Sequence, residues 1–149
     1  LLWGSEMGPR GGDELNLLHG GANYGWPIVS KGVNYDGTPI DGKELPAEFV
    51  PTGELIGPAV DFSPSPSVSS FVVYRGDAFP NFKGDIVLGS LKAGTLFRVG
   101  LDGSRVVERE TLIEGLARIR DVEVDGDGLL YLLLESTDEA KIVRLVPSD

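Results

Sequence analysis

The feature that most limits what this chain can fold into is a repeat. A strand-like run followed by a second occurs at Asp85–Leu88 and Leu96–Val99, and again at Leu130–Leu133 and Ile142–Leu145. The offset is roughly 45 residues, within the range of a unit that lays four strands into one propeller blade. Lys92-Ala93-Gly94 separates the first two runs. Asp102-Gly103 offers a tight turn before Arg105-Val106-Val107, and Asp127-Gly128 offers another before Leu129–Leu134. Asp-Gly reaches the positive φ of a hairpin turn easily, and the unbroken apolar run after it fits a strand covered on both faces. A weaker third copy begins at Leu1-Leu2-Trp3 and returns as Glu14–Leu18. No stretch beyond about ten residues keeps a 3.6-residue apolar period without a Gly or Pro break. The expected fold is all-β: a β-propeller, present here as a partial set of blades.

The 21 Gly and 10 Pro are spread along the chain, which fits many turns and not a linker. Residues 31–70 interrupt the repeat with a Gly-, Pro- and Ser-rich stretch. They read as a long insertion between blades of one domain spanning 1–149. Propellers close with about 4–8 blades, and an open arc leaves sheet edges uncovered. The ring therefore needs a partner chain or an N-terminal half of the propeller. The first residue is Leu1, not Met, so the chain is expected to be the interior of a longer protein.

Charge and composition exclude several classes of partner. The net charge of −10, from 23 acidic and 13 basic residues, argues against a nucleic acid or an anionic membrane surface. No cysteine is present, which removes disulfides, zinc–thiolate sites and thiol chemistry. No apolar run approaches the ~20 residues of a membrane span.

Three constellations remain for chemistry. The first is Glu6-Met7-Gly8-Pro9-Arg10-Gly11-Gly12-Asp13-Glu14-Leu15-Asn16, followed by Ala22-Asn23-Tyr24-Gly25-Trp26-Pro27. Gly-Pro and Gly-Gly bend the backbone sharply and turn carbonyls toward one point, while Asp13 and Glu14 add hard anionic oxygens, a mixture that calcium prefers. The same residues also fit a tight turn between blades with two solvated acids. The second is the Gly89–Arg98 segment, with Lys92 just past a strand end: a solvated charge, or a cation facing a propeller channel. The third is Arg118-Ile119-Arg120-Asp121-Val122. Alternation puts both arginines on one side of a strand. Either Asp121 or Glu123 neutralises them as a surface cluster, or they form a fork for carboxylates.

Together these motifs resemble the soluble quinoprotein sugar dehydrogenases, the aldose sugar dehydrogenase and glucose/sorbosone dehydrogenase group. Glu-x-Gly-Pro…Asp-Glu-Leu-Asn, Asn-Tyr-Gly-Trp-Pro, Ser-Leu-Lys and Arg-x-Arg-Asp-Val stand in the family's order, from about residue 3 to residue 146. The resemblance implies that the chain is the C-terminal portion of a six-bladed propeller carrying pyrroloquinoline quinone (PQQ) and calcium. The enzyme would oxidise an aldose at the anomeric carbon to a lactone, for an external electron acceptor. It implies that the carbonyls of Gly8 and Pro9 hold the calcium beside the quinone. Lys92, Arg118 and Arg120 would pair with the cofactor's carboxylates and quinone oxygen. A second, structural calcium would use Asp13 or Glu14 with the Tyr24 carbonyl.

Within Phe62-Ser63-Pro64-Ser65-Pro66-Ser67, Phe62 and Ser65 take the places of the family's cofactor-contacting tryptophan and hydroxyl residue. A Pro-rich turn pair is the other reading of that segment. The family's general base is a histidine from the N-terminal half. His19, the only histidine, matches no catalytic motif, so no catalytic residue is expected here and the segment alone is expected to be inactive. A periplasmic or secreted setting follows from the resemblance alone. Two rivals stand beside it: a calcium-dependent propeller lactonase, which needs no Lys92, Arg118 and Arg120 trio, and a non-catalytic propeller scaffold.

Overall fold

A computed structural model of the chain describes residues 1–43, 45, 46, 48 and 53–148. Two compact units emerge, Leu1–Ser65 and Pro66–Asp149.

In the first unit, strands β1 (Leu2–Glu6), β2 (Glu14–Leu18) and β3 (Val60–Asp61) pair antiparallel in that order. Trp3 stands opposite Leu17, and Ser5 opposite Leu15. Trp3, Leu15, Val60 and Phe62 are buried. Between β2 and β3 the backbone is held by isolated bridges, Arg10 with Val33, Val33 with Pro39 and Asn23 with Leu55. Within 31–70, β3 and the start of the next strand are regular, and residues 44, 47 and 49–52 lie outside the described residues.

The second unit holds a four-stranded antiparallel meander, β4 (Val68–Val73), β5 (Ile86–Ser90), β6 (Leu96–Asp102) and β7 (Arg105–Ile113). Beside it lies a three-stranded sheet of β8 (Arg118–Val124), β9 (Leu130–Glu135) and β10 (Ala140–Leu145). The sequence repeat is the correspondence of β5–β6 with β9–β10. Tyr74, Val87, Leu96, Ile119, Val122, Leu130, Leu132 and Leu134 form the shared core. At Gly89 a β-carbon would stand 2.7 Å from Ile119 Cγ2, so the two sheets approach as closely as a missing side chain permits. Hydroxyls join them: Ser69 Oγ donates to the Ile119 carbonyl at 2.7 Å, and Tyr74 Oη donates to the Gly128 carbonyl at 2.6 Å.

The expectation that Leu129–Leu134 is covered on both faces is corrected. Leu130, Leu132 and Leu134 face the core, but Leu133 is 37% exposed. Alternation turns it to the face opposite the core, where Leu129 and Tyr131 are half-buried and the described residues cover Leu133 only in part. Among the described residues no helix is long and apolar enough to cross a membrane.

Candidate functional site

The loop from Met7 to Asp13 joins β1 to β2, and backbone contacts make it rigid. A β-carbon on Gly8 would lie 1.8 Å from the Gly11 carbonyl oxygen, a separation no side chain survives. Gly12, at φ 74°, would place one 2.6 Å from the Gly32 nitrogen. The loop is therefore a stack of bare backbone. Asp13 ties it down from inside. Fully buried, its Oδ1 accepts the Gly8 N–H at 3.0 Å and the Ser65 hydroxyl, while its own carbonyl accepts the Phe62 N–H at 2.9 Å. Asp13, Phe62 and Ser65 thus come together with the Gly8 loop. Phe62 itself is buried and Ser65 half-buried.

Glu14 points the other way, as alternation requires. It stands in register between Glu6 on β1 and Asp61 on β3, so three acids share one sheet face. The buried Asn16 donates from Nδ2 to Glu6 Oε1 at 3.1 Å and to Glu14 Oε2 at 3.4 Å, yet its Oδ1 has no partner. Burial pushes the Glu14 carboxyl above its usual range, the Asn16 hydrogen bond opposes this, and the charges of Glu6 and Asp61 add to the rise. Such a site asks for positive charge. Carboxylates, a lone amide oxygen and adjacent carbonyls are the donors a hard cation takes. Among the described residues no three His, Cys, Asp or Glu side chains are grouped to hold a metal by themselves, so a cation here would have to draw on backbone oxygens too.

An open cleft of 460 Å³ is lined by Gly8, Pro9, Glu14 and Tyr24, together with Glu6 and Trp26 among others. Four of the five residues expected at metal therefore share one cleft, and Asp13 is turned inside. Tyr24 is fixed by its hydroxyl, which donates to the Leu17 carbonyl at 2.7 Å and accepts the His19 N–H at 2.8 Å. His19 is an exposed loop residue just past β2.

In the second unit, Lys92 is exposed in the turn between β5 and β6. The turn is braced: the Lys92 and Ala93 N–H groups both donate to the Pro66 carbonyl, at 3.0 and 3.2 Å. Gly94, at φ 58°, abuts the segment that leads into β8. A β-carbon there would stand 2.0 Å from the Leu116 carbonyl oxygen, and the Gly94 carbonyl accepts the Leu116 N–H at 2.9 Å. The Lys92 turn and the start of the Arg118 strand are therefore packed together.

Arg118 and Arg120 are exposed on either side of the buried Ile119. Pairing runs Arg118 with Glu135, Ile119 with Leu134 and then Asp121 with Leu133, so Arg120 is the extra residue of a bulge. Arg118 Nε donates to Glu135 Oε2 at 3.3 Å, and Arg120 Nε donates to the same oxygen. The neutralising acid is thus Glu135 from β9, in place of the expected Asp121 or Glu123. Register brings it alongside, whereas Asp121 folds back to accept the Val122 N–H at 3.1 Å. Hydrogen bonding from Arg120 holds the Glu135 carboxyl below its usual range. Among the described residues neither guanidinium engages a partner through its Nη atoms.

A model of the glucose/sorbosone dehydrogenase family matches residues 1–144. This chain belongs to that family. It is similar to the aldose sugar dehydrogenase YliI of Escherichia coli K12, at 39% identity over 93% of this chain and 36% of that protein. It is also similar to quinoprotein glucose dehydrogenase B of Acinetobacter calcoaceticus, at 26% identity over 89% of this chain and 38% of that protein. A crystal structure of a glucose dehydrogenase superposes with a TM-score of 0.84 at 39% identity, covering 98% of this chain and 41% of that one. The chain thus spans well under half the length of the relatives it matches. The fold is all-β, and its three antiparallel sheets are a partial set of β-propeller blades.

Proposed function

We propose that the full-length protein is a PQQ- and calcium-dependent dehydrogenase that oxidises aldose sugars at the anomeric carbon to lactones and passes the electrons to an external acceptor. One observation carries this reading: the turn that bears Lys92 packs against the segment leading into the Arg118 strand, and the two guanidinium groups on that strand hydrogen-bond Glu135 through Nε alone. PQQ carries three carboxylates, and a planar guanidinium end meets a carboxylate with two parallel hydrogen bonds. When bound, PQQ supplies the redox chemistry and calcium beside it supplies Lewis acidity.

The residues of this chain bind and orient. Gly8 and Pro9 would offer their carbonyls from this close-packed loop on the cleft wall, and Glu14 with the Tyr24 carbonyl fits the second calcium better than the inward-facing Asp13. Phe62 and Ser65 are assigned to the cofactor region as supports of the Gly8 loop, through Asp13. The general base is assigned to the rest of the protein, so this segment alone should not oxidise sugar. The family likeness also carries the reading of a periplasmic or secreted setting.

Dye reduction by the full-length protein with a panel of aldoses tests the proposal, with PQQ and calcium omitted in turn. Activity that needs both supports it. Dye reduction indifferent to PQQ removes the quinoprotein reading, and no dye reduction with any aldose leaves a hydrolytic lactonase, which reduces no dye, or a binding scaffold; either result overturns it.

A further inference from the structure

We infer that Glu135 is a positioning residue for the cofactor site, holding Arg118 and Arg120 by their Nε edges so that both guanidinium ends face outward together. This inference rests on the quinoprotein reading of the fork. A guanidinium offers two edges to an acid: a side edge that includes Nε, and an end formed by the two Nη atoms. Both arginines meet Glu135 through Nε and converge on the single oxygen Oε2. Their Nη ends are left to a ligand. Without an acid between them, two like charges on exposed side chains would separate into water. The bulge at Arg120 and the pairing of Arg118 with Glu135 bring one carboxylate within reach of both.

The arrangement makes an unusual prediction about sign. Glu135 is an anion beside a site for anions, so simple charge counting says that removing it should tighten PQQ binding. Positioning says the reverse. Residues that orient metal-ligating side chains commonly change affinity by about 10–100-fold when lost, and the same reasoning carries to side chains that hold an anion. Here E135Q should weaken PQQ binding by about tenfold, and the shorter carboxylate of E135D should recover part of that loss.

The test uses the full-length protein with calcium. PQQ is titrated into wild type, E135Q and E135D, and the Nε–H resonances of Arg118 and Arg120 are compared by NMR in wild type and E135Q without ligand. The Glu135 side chain is 41% exposed, and cooperative melting well above the assay temperature would show that the variants fold. Weaker binding in E135Q, recovery in E135D and faster exchange of both Nε–H groups are expected. PQQ binding to E135Q as tight as or tighter than to wild type overturns the inference and leaves the quinoprotein reading intact. If wild type binds no PQQ, that reading falls and the cofactor role of Glu135 falls with it; unaltered Nε–H exchange in E135Q removes the restraint on the arginines even where PQQ binds.

Discussion

Three arginines of the second unit show two uses of one side chain. Arg98 on β6 is spent entirely inside the protein. Its Nε donates to Asp85 Oδ2 at 2.7 Å, Nη1 to Glu110 Oε2 at 3.1 Å and Nη2 to the Asn81 carbonyl at 2.9 Å. Its guanidinium carbon also lies 5.2 Å from the centre of the Phe82 ring. Arg118 and Arg120 on β8 share one carboxylate and leave their Nη ends open. The side chain of Arg98 is 19% exposed, against 47% and 44% for the other two. The difference teaches how to separate a structural cation from a binding one. All three nitrogens of a structural arginine are satisfied by the fold. On the proposed reading Arg118 and Arg120 are binding arginines, each restrained along its Nε edge and without a hydrogen bond at the other.

The comparison breaks first at Asp85. D85A should cost about 3–5 kcal/mol in urea denaturation, because it leaves the Arg98 charge inside without its nearest partner. A loss under about 1 kcal/mol would put Arg98 among ordinary surface pairs. R120A should do the opposite. Its stability should change by less than about 1 kcal/mol, while PQQ affinity of the full-length protein falls about ten- to a hundredfold, as for lost hydrogen bonds between charged groups. Smaller effects sharpen the contrast. Glu14, whose folded pKa is raised, is penalised once ionised. Its cost is absent below the ordinary value of 4.5, and grows as pH rises through that value toward the folded one. E14Q should therefore raise the melting temperature of the calcium-free protein at neutral pH, and calcium should stabilise wild type more than the variant. Glu135 has the reverse sign. Its folded pKa is lowered, so wild type should exceed E135Q slightly in stability above pH 4.5, with the margin vanishing as pH falls through the folded value. A margin that grows toward acid would contradict the Glu135–arginine contacts.

What could be read before the fold was known follows a physical divide. Hairpins are local, so the turns at Asp102-Gly103 and Asp127-Gly128 announce β6–β7 and β8–β9, and the repeat of β5–β6 in β9–β10 is visible as spacing. The adjacent acids Asp13 and Glu14 look alike in a linear chain. Only the strand that starts at Glu14 tells them apart, by sending one inward and the other onto the sheet face. Glu135 was hidden more deeply. Counting out from the turn pairs Val124 with Leu130 and Val122 with Leu132. Continued without a break, that register would set Arg118 opposite Ser136. The bulge at Arg120 shifts it to Glu135, and nothing in Arg118-Ile119-Arg120-Asp121 announces a bulge. The unpartnered Oδ1 of Asn16 was equally invisible, because it depends on which neighbours β1 and β3 bring beside β2.

The central claim is that the open arginine ends, and not the buried one, hold the cofactor's carboxylates. It is tested most directly by titrating PQQ into the full-length protein with calcium present, comparing wild type with the R118A/R120A double variant by absorbance. Saturable binding to wild type is expected, with at least about a hundredfold loss in a double variant that melts at the same temperature. Equal affinity in the two proteins would contradict it.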